Sequence, residues 1–165
     1  MRKIMLVFLG GFCGTLSRYL LAPPLAFLAH HLVPGPQAFP YDIFVINLSG
    51  AYLLGLLYGL AERGAAIPAD VRLALGTGFL GAYTTFSTFV TGGGSLLLTG
   101  ATTVGALYLV GSIILGVGVV RAGHISAAFL TSRQRARYRA HVDAPDVDEP
   151  QMPGMVSSGR VDGVE

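Results

Sequence analysis

The sequence predicts an all-α membrane protein with four transmembrane helices, the third of them broken mid-membrane. Three observations carry that prediction. The chain has 165 residues, of which 52% are apolar and only 12% charged, against roughly 25% charged residues in a soluble domain. No Lys, Arg, Asp or Glu falls between Leu73 and Val120. Four apolar windows are long enough to cross a hydrocarbon core of about 30 Å, which takes about 20 helical residues.

The first window runs from about Ile4 to Leu21, and Pro23 and Pro24 are expected to close it. Its start, MRKIMLVFLGGFCG, resembles a signal peptide. The apolar run continues to Leu21, however, and three more apolar segments follow, so it reads as a first span and not as a leader. The stretch Val33-Pro34-Gly35-Pro36 belongs to the first loop. The second span covers about Tyr41 to Ala61, and Gly64 and Pro68 bracket the loop after it. The third runs from about Val71 to Leu98, and the fourth from about Ala101 to Val120. From about Ser132 the chain turns polar: Arg133, Arg135, Arg137 and Arg139 precede Asp143, Asp146, Asp148 and Glu149. The expected division is a four-helix transmembrane domain over residues 1–123 and a disordered cytoplasmic tail over 124–165, basic where it leaves the membrane.

Arg2 and Lys3 at the N-terminus, Arg63 and Arg72 in the second loop, and Arg121 with the arginine run all lie on one side of this topology. The first and third loops have no Lys or Arg, so both termini are expected in the cytoplasm. Gly10 and Gly14, with Arg18 four residues on, make one small-residue stripe; Asn47, Ala51, Gly55 and Gly59 make another. Such stripes let helix backbones pack closely. Cys13 is the single cysteine and sits in an apolar run, which excludes an internal disulfide and reads as a packed free thiol.

Composition and placement exclude several functions. A net charge of +2 without a basic stripe does not suit nucleic acid. His30, His31, His124 and His141 lie outside the expected spans, and Asp42 and Glu62 sit only at the ends of the second. A proton-coupled transporter needs an ionisable group within the membrane. An enzyme needs metal ligands, or a nucleophile with its base, and neither constellation is present. The polar groups inside the spans are neutral: Asn47, then Thr84, Thr85, Ser87 and Thr88, then Tyr108 and Ser112, with Ser17 and Arg18 closing the first helix. A pore of neutral donors suits a small anion that must shed water without being held too tightly.

The segment from Gly76 to Phe89, GTGFLGAYTTFSTF, is the most informative. Three glycines and the hydroxyl residues Thr84, Thr85, Ser87 and Thr88 in mid-span oppose an unbroken helix. A break at this depth frees carbonyls that protein, water or an ion must satisfy, and such carbonyls suit a cation. Phe86 and Phe89 share a helix face. Their positive ring edges could attract an anion weakly; equally, the two rings could simply pack on a neighbouring helix.

The run Gly81-Ala82-Tyr83-Thr84-Thr85-Phe86-Ser87-Thr88-Phe89 resembles the signature of the fluoride-specific ion channel family, CrcB or Fluc. Three further matches fall in order: GGFCGTLSRY from Gly10 to Tyr19, VINLSG from Val45 to Gly50 with Gly55 after it, and Tyr108, Ser112 and Gly116 at four-residue spacing. Together they span about residues 4 to 123, and the polar tail lies outside them. Tyr83 departs from the pattern, since the family more often has a small or aliphatic residue there.

The resemblance implies an antiparallel dimer in the plasma (inner) membrane that exports cytoplasmic fluoride passively and confers fluoride resistance. It implies a fluoride pathway of Asn47, Phe86, Ser87, Thr88, Phe89, Tyr108 and Ser112, with Asn47 also orienting a ring. It implies a structural sodium ion on the backbone carbonyls of Gly81 and Thr84, and a structural Arg18 near one end of the first helix. An antiparallel homodimer inserts in both directions, which favours little charge bias, and this chain has a strong bias. Pairing with an oppositely oriented homologue therefore stands beside the homodimer. The alternatives are a non-conducting partner subunit of a heterodimeric channel and a small four-helix drug/proton antiporter. The antiporter wants a carboxylate in the first span, where Arg18 is the only charge.

Overall fold

A computed structural model describes residues 1–32, 39–64 and 67–142, with side chains through Arg133. Helix α1 spans Arg2–Leu32 and α2 spans Tyr41–Glu62. The third span is assembled from pieces: α3 (Ala69–Arg72), a π-helical segment Leu73–Leu80, α4 (Gly81–Tyr83) and α5 (Phe86–Leu98). Helix α6 spans Thr102–Val142. Helices α1, α2 and α6 are each long and apolar enough to cross a membrane, and the jointed segment completes a set of four.

Two expectations about helix ends are corrected. Helix α1 does not stop at its prolines; Pro23 and Pro24 lie inside it. Each lacks the N–H that would bond the carbonyl four residues back, yet membrane helices tolerate proline because neighbouring groups re-satisfy the freed carbonyls. Arg18 consequently sits near the middle of α1, half-buried, and not near one end. The fourth helix likewise does not stop near Val120. Its 41 residues make a rod of about 60 Å at 1.5 Å per residue, about twice the hydrocarbon thickness.

The helix therefore continues without a break across the expected boundary between residues 123 and 124. Its packing on α2 continues too: Ala127 is fully buried, and His124 Nε2 meets Glu62 Oε2 at 2.8 Å. Sequence polarity concealed this, because a helix can leave the membrane without changing its backbone. The proline loop at 33–36 and the acidic end at 143–165 lie outside the described residues.

Small residues set the close approaches. A Cβ on Gly14 would overlap the Phe79 carbonyl, which brings α1 against the π segment. A Cβ on Gly55 would overlap the Val120 carbonyl, which joins α2 to α6. Both stripes expected from the sequence are thus helix contacts. Gly100 ends α5 with φ +88°, a left-handed conformation that glycine adopts without strain. The small core is Ile46, Leu80 and Tyr83. Many large apolar side chains point outward, among them Phe12, Leu107 and Ile114, as expected of helices that face lipid or other helices.

Candidate functional site

The third span breaks after Tyr83. Thr84 is extended (φ −75°, ψ 158°) and so is Thr85 (φ −144°, ψ 123°) before α5 begins at Phe86. Asn47, on α2, closes the break. Its Nδ2 donates to the Thr85 carbonyl at 3.0 Å, and its Oδ1 accepts from the Thr85 N–H at 2.8 Å. One side-chain amide thus satisfies both backbone groups of a residue that is only 7% exposed. The reciprocal pair also fixes which way the Asn47 amide points, and it leaves one Nδ2 hydrogen over.

The hydroxyl of Thr85 caps α5. It accepts from the Thr88 N–H at 3.3 Å and donates to Thr88 Oγ1 at 3.1 Å, with Ser87 Oγ 3.3 Å away. A threonine with a hydroxyl acceptor at this position is a strong helix start. Two carbonyls lose their helical donors as a result. The Thr85 amide goes to Asn47 and not to Gly81, and the Thr88 amide goes to Thr85 Oγ1 and not to Thr84.

Beside the break lies a cavity of about 230 Å³ lined by Asn47, Thr84, Thr85, Phe86, Phe89, Ser112 and Ile113. Four of the expected pathway residues therefore meet there: Asn47, Phe86, Phe89 and Ser112. Ser87 and Thr88 join through their hydrogen bonds to Thr85 on the first turn of α5. Tyr108 is one layer behind, buried to 1% exposure, with its ring 5.3 Å from that of Phe89. Among the described residues its hydroxyl has no hydrogen-bond partner. The Phe86 and Phe89 rings lie 6.1 Å apart, and Phe86 is 79% exposed on this chain. Among the described residues, no three His, Cys, Asp or Glu side chains cluster to hold a metal ion.

The inventory of free donors is uneven. Ser112 donates its hydrogen to the Tyr108 carbonyl on its own helix, so it offers lone pairs toward the cavity. Among the described residues, the side-chain donors left over include the second Asn47 hydrogen, the Thr88 hydroxyl and the Tyr108 hydroxyl. Sequence reasoning named Thr85 only as one hydroxyl among several; the structure makes it the hub. The spacing Thr85-x-x-Thr88 at the start of an apolar helix was the available signal.

A set of four apolar helices whose broken third member borders a small, largely apolar cavity carrying a few neutral polar groups fits a membrane channel. The comparisons narrow the class. Residues 5–124 match the family model described as "CrcB-like protein, Camphor Resistance (CrcB)". The "Fluoride-specific ion channel FluC" of Chlorobium luteolum is 40% identical over 125 residues, covering 76% of this chain and 92% of its own length. "Fluoride-specific ion channel FluC 2" of Moorella thermoacetica is 42% identical over 121 residues, covering 73% and 93%. The protein of that same description from Bacillus licheniformis is 39% identical over 145 residues, covering 85% of this chain and all of its own. The chain belongs to the CrcB/FluC family of fluoride-specific ion channels.

Proposed function

We propose that this chain conducts fluoride passively across the plasma membrane, as one half of an antiparallel dimer with both termini in the cytoplasm. The observation that carries the reading is the cavity beside the helix break, where Asn47, Phe86, Phe89 and Ser112 converge. Among the described residues it is lined by neutral polar groups and two phenyl rings and by no charged side chain. A buried lysine or arginine would trap an anion, whereas weak, serial sites let it leave. Hydrogen fluoride that enters from acid surroundings ionises inside, and a negative interior drives the anion out.

The break also suits a sodium ion. The carbonyls of Gly81 and Thr84 have lost their helical donors, and freed carbonyls of a broken helix are hard oxygen ligands for such a cation. These two carbonyls would hold it, and the ion would supply a fixed positive charge near the anion path. Asn47 and Thr85 set the direction of the carbonyls whether or not an ion is bound. Arg18, half-buried within α1, serves a structural role.

The lysine and arginine bias supports one fixed orientation. This specific observation favours a second reading, in which the chain pairs with an oppositely oriented homologue. Fluoride efflux from liposomes that contain only this chain, with potassium and valinomycin to clamp the voltage, tests both. Release of fluoride without chloride supports the channel and the homodimer. No release alone, but release after co-expression with a homologue, supports the heterodimer. No release in either case sinks the proposal.

A further inference from the structure

Tyr83 ends α4, one residue before the extended pair at the break. It is 7% exposed, and its ring stacks on Phe79 with centroids 5.8 Å apart and planes 7° from parallel. Its hydroxyl lies 3.0 Å from Ser49 Oγ on α2. Counting hydrogens gives the direction of that bond. Ser49 donates its only hydroxyl hydrogen to the Ile46 carbonyl at 2.9 Å, so Tyr83 donates to Ser49.

Ser49 is two residues beyond Asn47 on the same helix. Helix α2 therefore grips the break on both sides: Asn47 holds the backbone of Thr85, and Ser49 holds the side chain of Tyr83. Thr84 lies between the two grips. Gly50 makes room for this, since a Cβ there would overlap the Thr84 methyl and come within 3.3 Å of the Tyr83 ring. Neither Ser49 nor Tyr83 lines the cavity; whatever they do there, they do through Thr84 and Thr85. A stacked ring can slide along its partner, whereas a hydrogen bond at its tip fixes its depth.

We propose that the Tyr83–Ser49 hydrogen bond is a positioning strut that sets the orientation of the backbone carbonyls at the break, and with it the shape of the adjacent fluoride path. The proposal rests on the fluoride-conduction reading for its effect on flux, but not for its effect on the backbone. Two readouts keep the two apart: amide hydrogen exchange of peptides covering residues 80–88, and fluoride efflux from liposomes. Tyr83→Phe, Ser49→Ala and the double variant are compared with the unaltered chain.

Each single change is expected to speed exchange at the break by about five-fold, the factor carried by one ordinary hydrogen bond. Exchange over residues 102–120 stays as it was, efflux slows, and the double variant is no worse than either single one. Unchanged exchange at residues 80–88 would overturn the strut, as would losses that add in the double variant, because two groups of one bond cannot be lost twice. If the unaltered chain passes no fluoride, the conduction reading falls and exchange alone decides the strut.

Discussion

Replacing Asn47 with alanine removes both bonds that hold Thr85 at the break. Thr85 is 7% exposed, so water does not readily replace them. In a water-referenced interior each unsatisfied group costs about 1–3 kcal/mol. In a membrane the unfolded reference also finds partners, and measured interhelical bonds run from about 0.6 to 2 kcal/mol each. Two bonds on one amide then amount to about 1–4 kcal/mol, with a further contribution from the enlarged cavity. The expected result is a lower midpoint of thermal unfolding in detergent and a loss of fluoride efflux of at least ten-fold. Asn47→Asp separates the two bonds: an ionised carboxylate still accepts from the Thr85 N–H but donates nothing to its carbonyl. An Asn47→Ala protein with the unfolding midpoint and efflux of the unaltered chain would refute the clamp.

Other predictions follow from the same geometry. Thr85→Val deletes the cap of α5 and is expected to cost about 0.5–2 kcal/mol, seen as a lower unfolding midpoint and faster amide exchange over residues 86–89. Phe86→Ala is expected to suppress fluoride efflux with little change in unfolding midpoint, because the ring is 79% exposed on the single chain; Phe89→Ala, packed on Tyr108, lowers both. Gly55→Leu drives a side chain into the Val120 carbonyl, and overpacking of about 1–3 kcal/mol or more is expected to appear as aggregation during size-exclusion chromatography. A chain ended after Ala122 loses Ala127 and the His124–Glu62 contact and is expected to unfold at lower temperature.

Much of this molecule was legible because hydropathy reports length directly. The second span was expected over Tyr41 to Ala61 and is Tyr41–Glu62. The stripes through Gly10 and Gly14 and through Gly55 and Gly59 were legible for a different reason: only small residues permit backbone contact. The glycine and hydroxyl content of residues 76–89 signalled the interruption of the third span, but not the π segment Leu73–Leu80 that precedes the break.

Helix ends were less legible. Pro23 and Pro24 looked like terminators because that is what they are in water; a helix in a membrane has nowhere better to send its backbone, and α1 goes on to Leu32. The fourth helix outran its apolar window because polarity marks the edge of the lipid, not the end of the helix. At the site, the sequence named the side chains, but composition could not tell which hydrogen each one spends. Ser112 turned its hydrogen back to Tyr108, and Asn47 used its amide on the backbone of Thr85. Those are properties of the fold around the break.

The most direct test of the account is electrical. The purified chain is placed in a planar bilayer between unequal concentrations of potassium fluoride, with equal potassium chloride on both sides, and the reversal potential is measured. The account predicts a current that reverses at the fluoride equilibrium potential and does not move when the chloride gradient is changed. A reversal potential that follows potassium or chloride would contradict it.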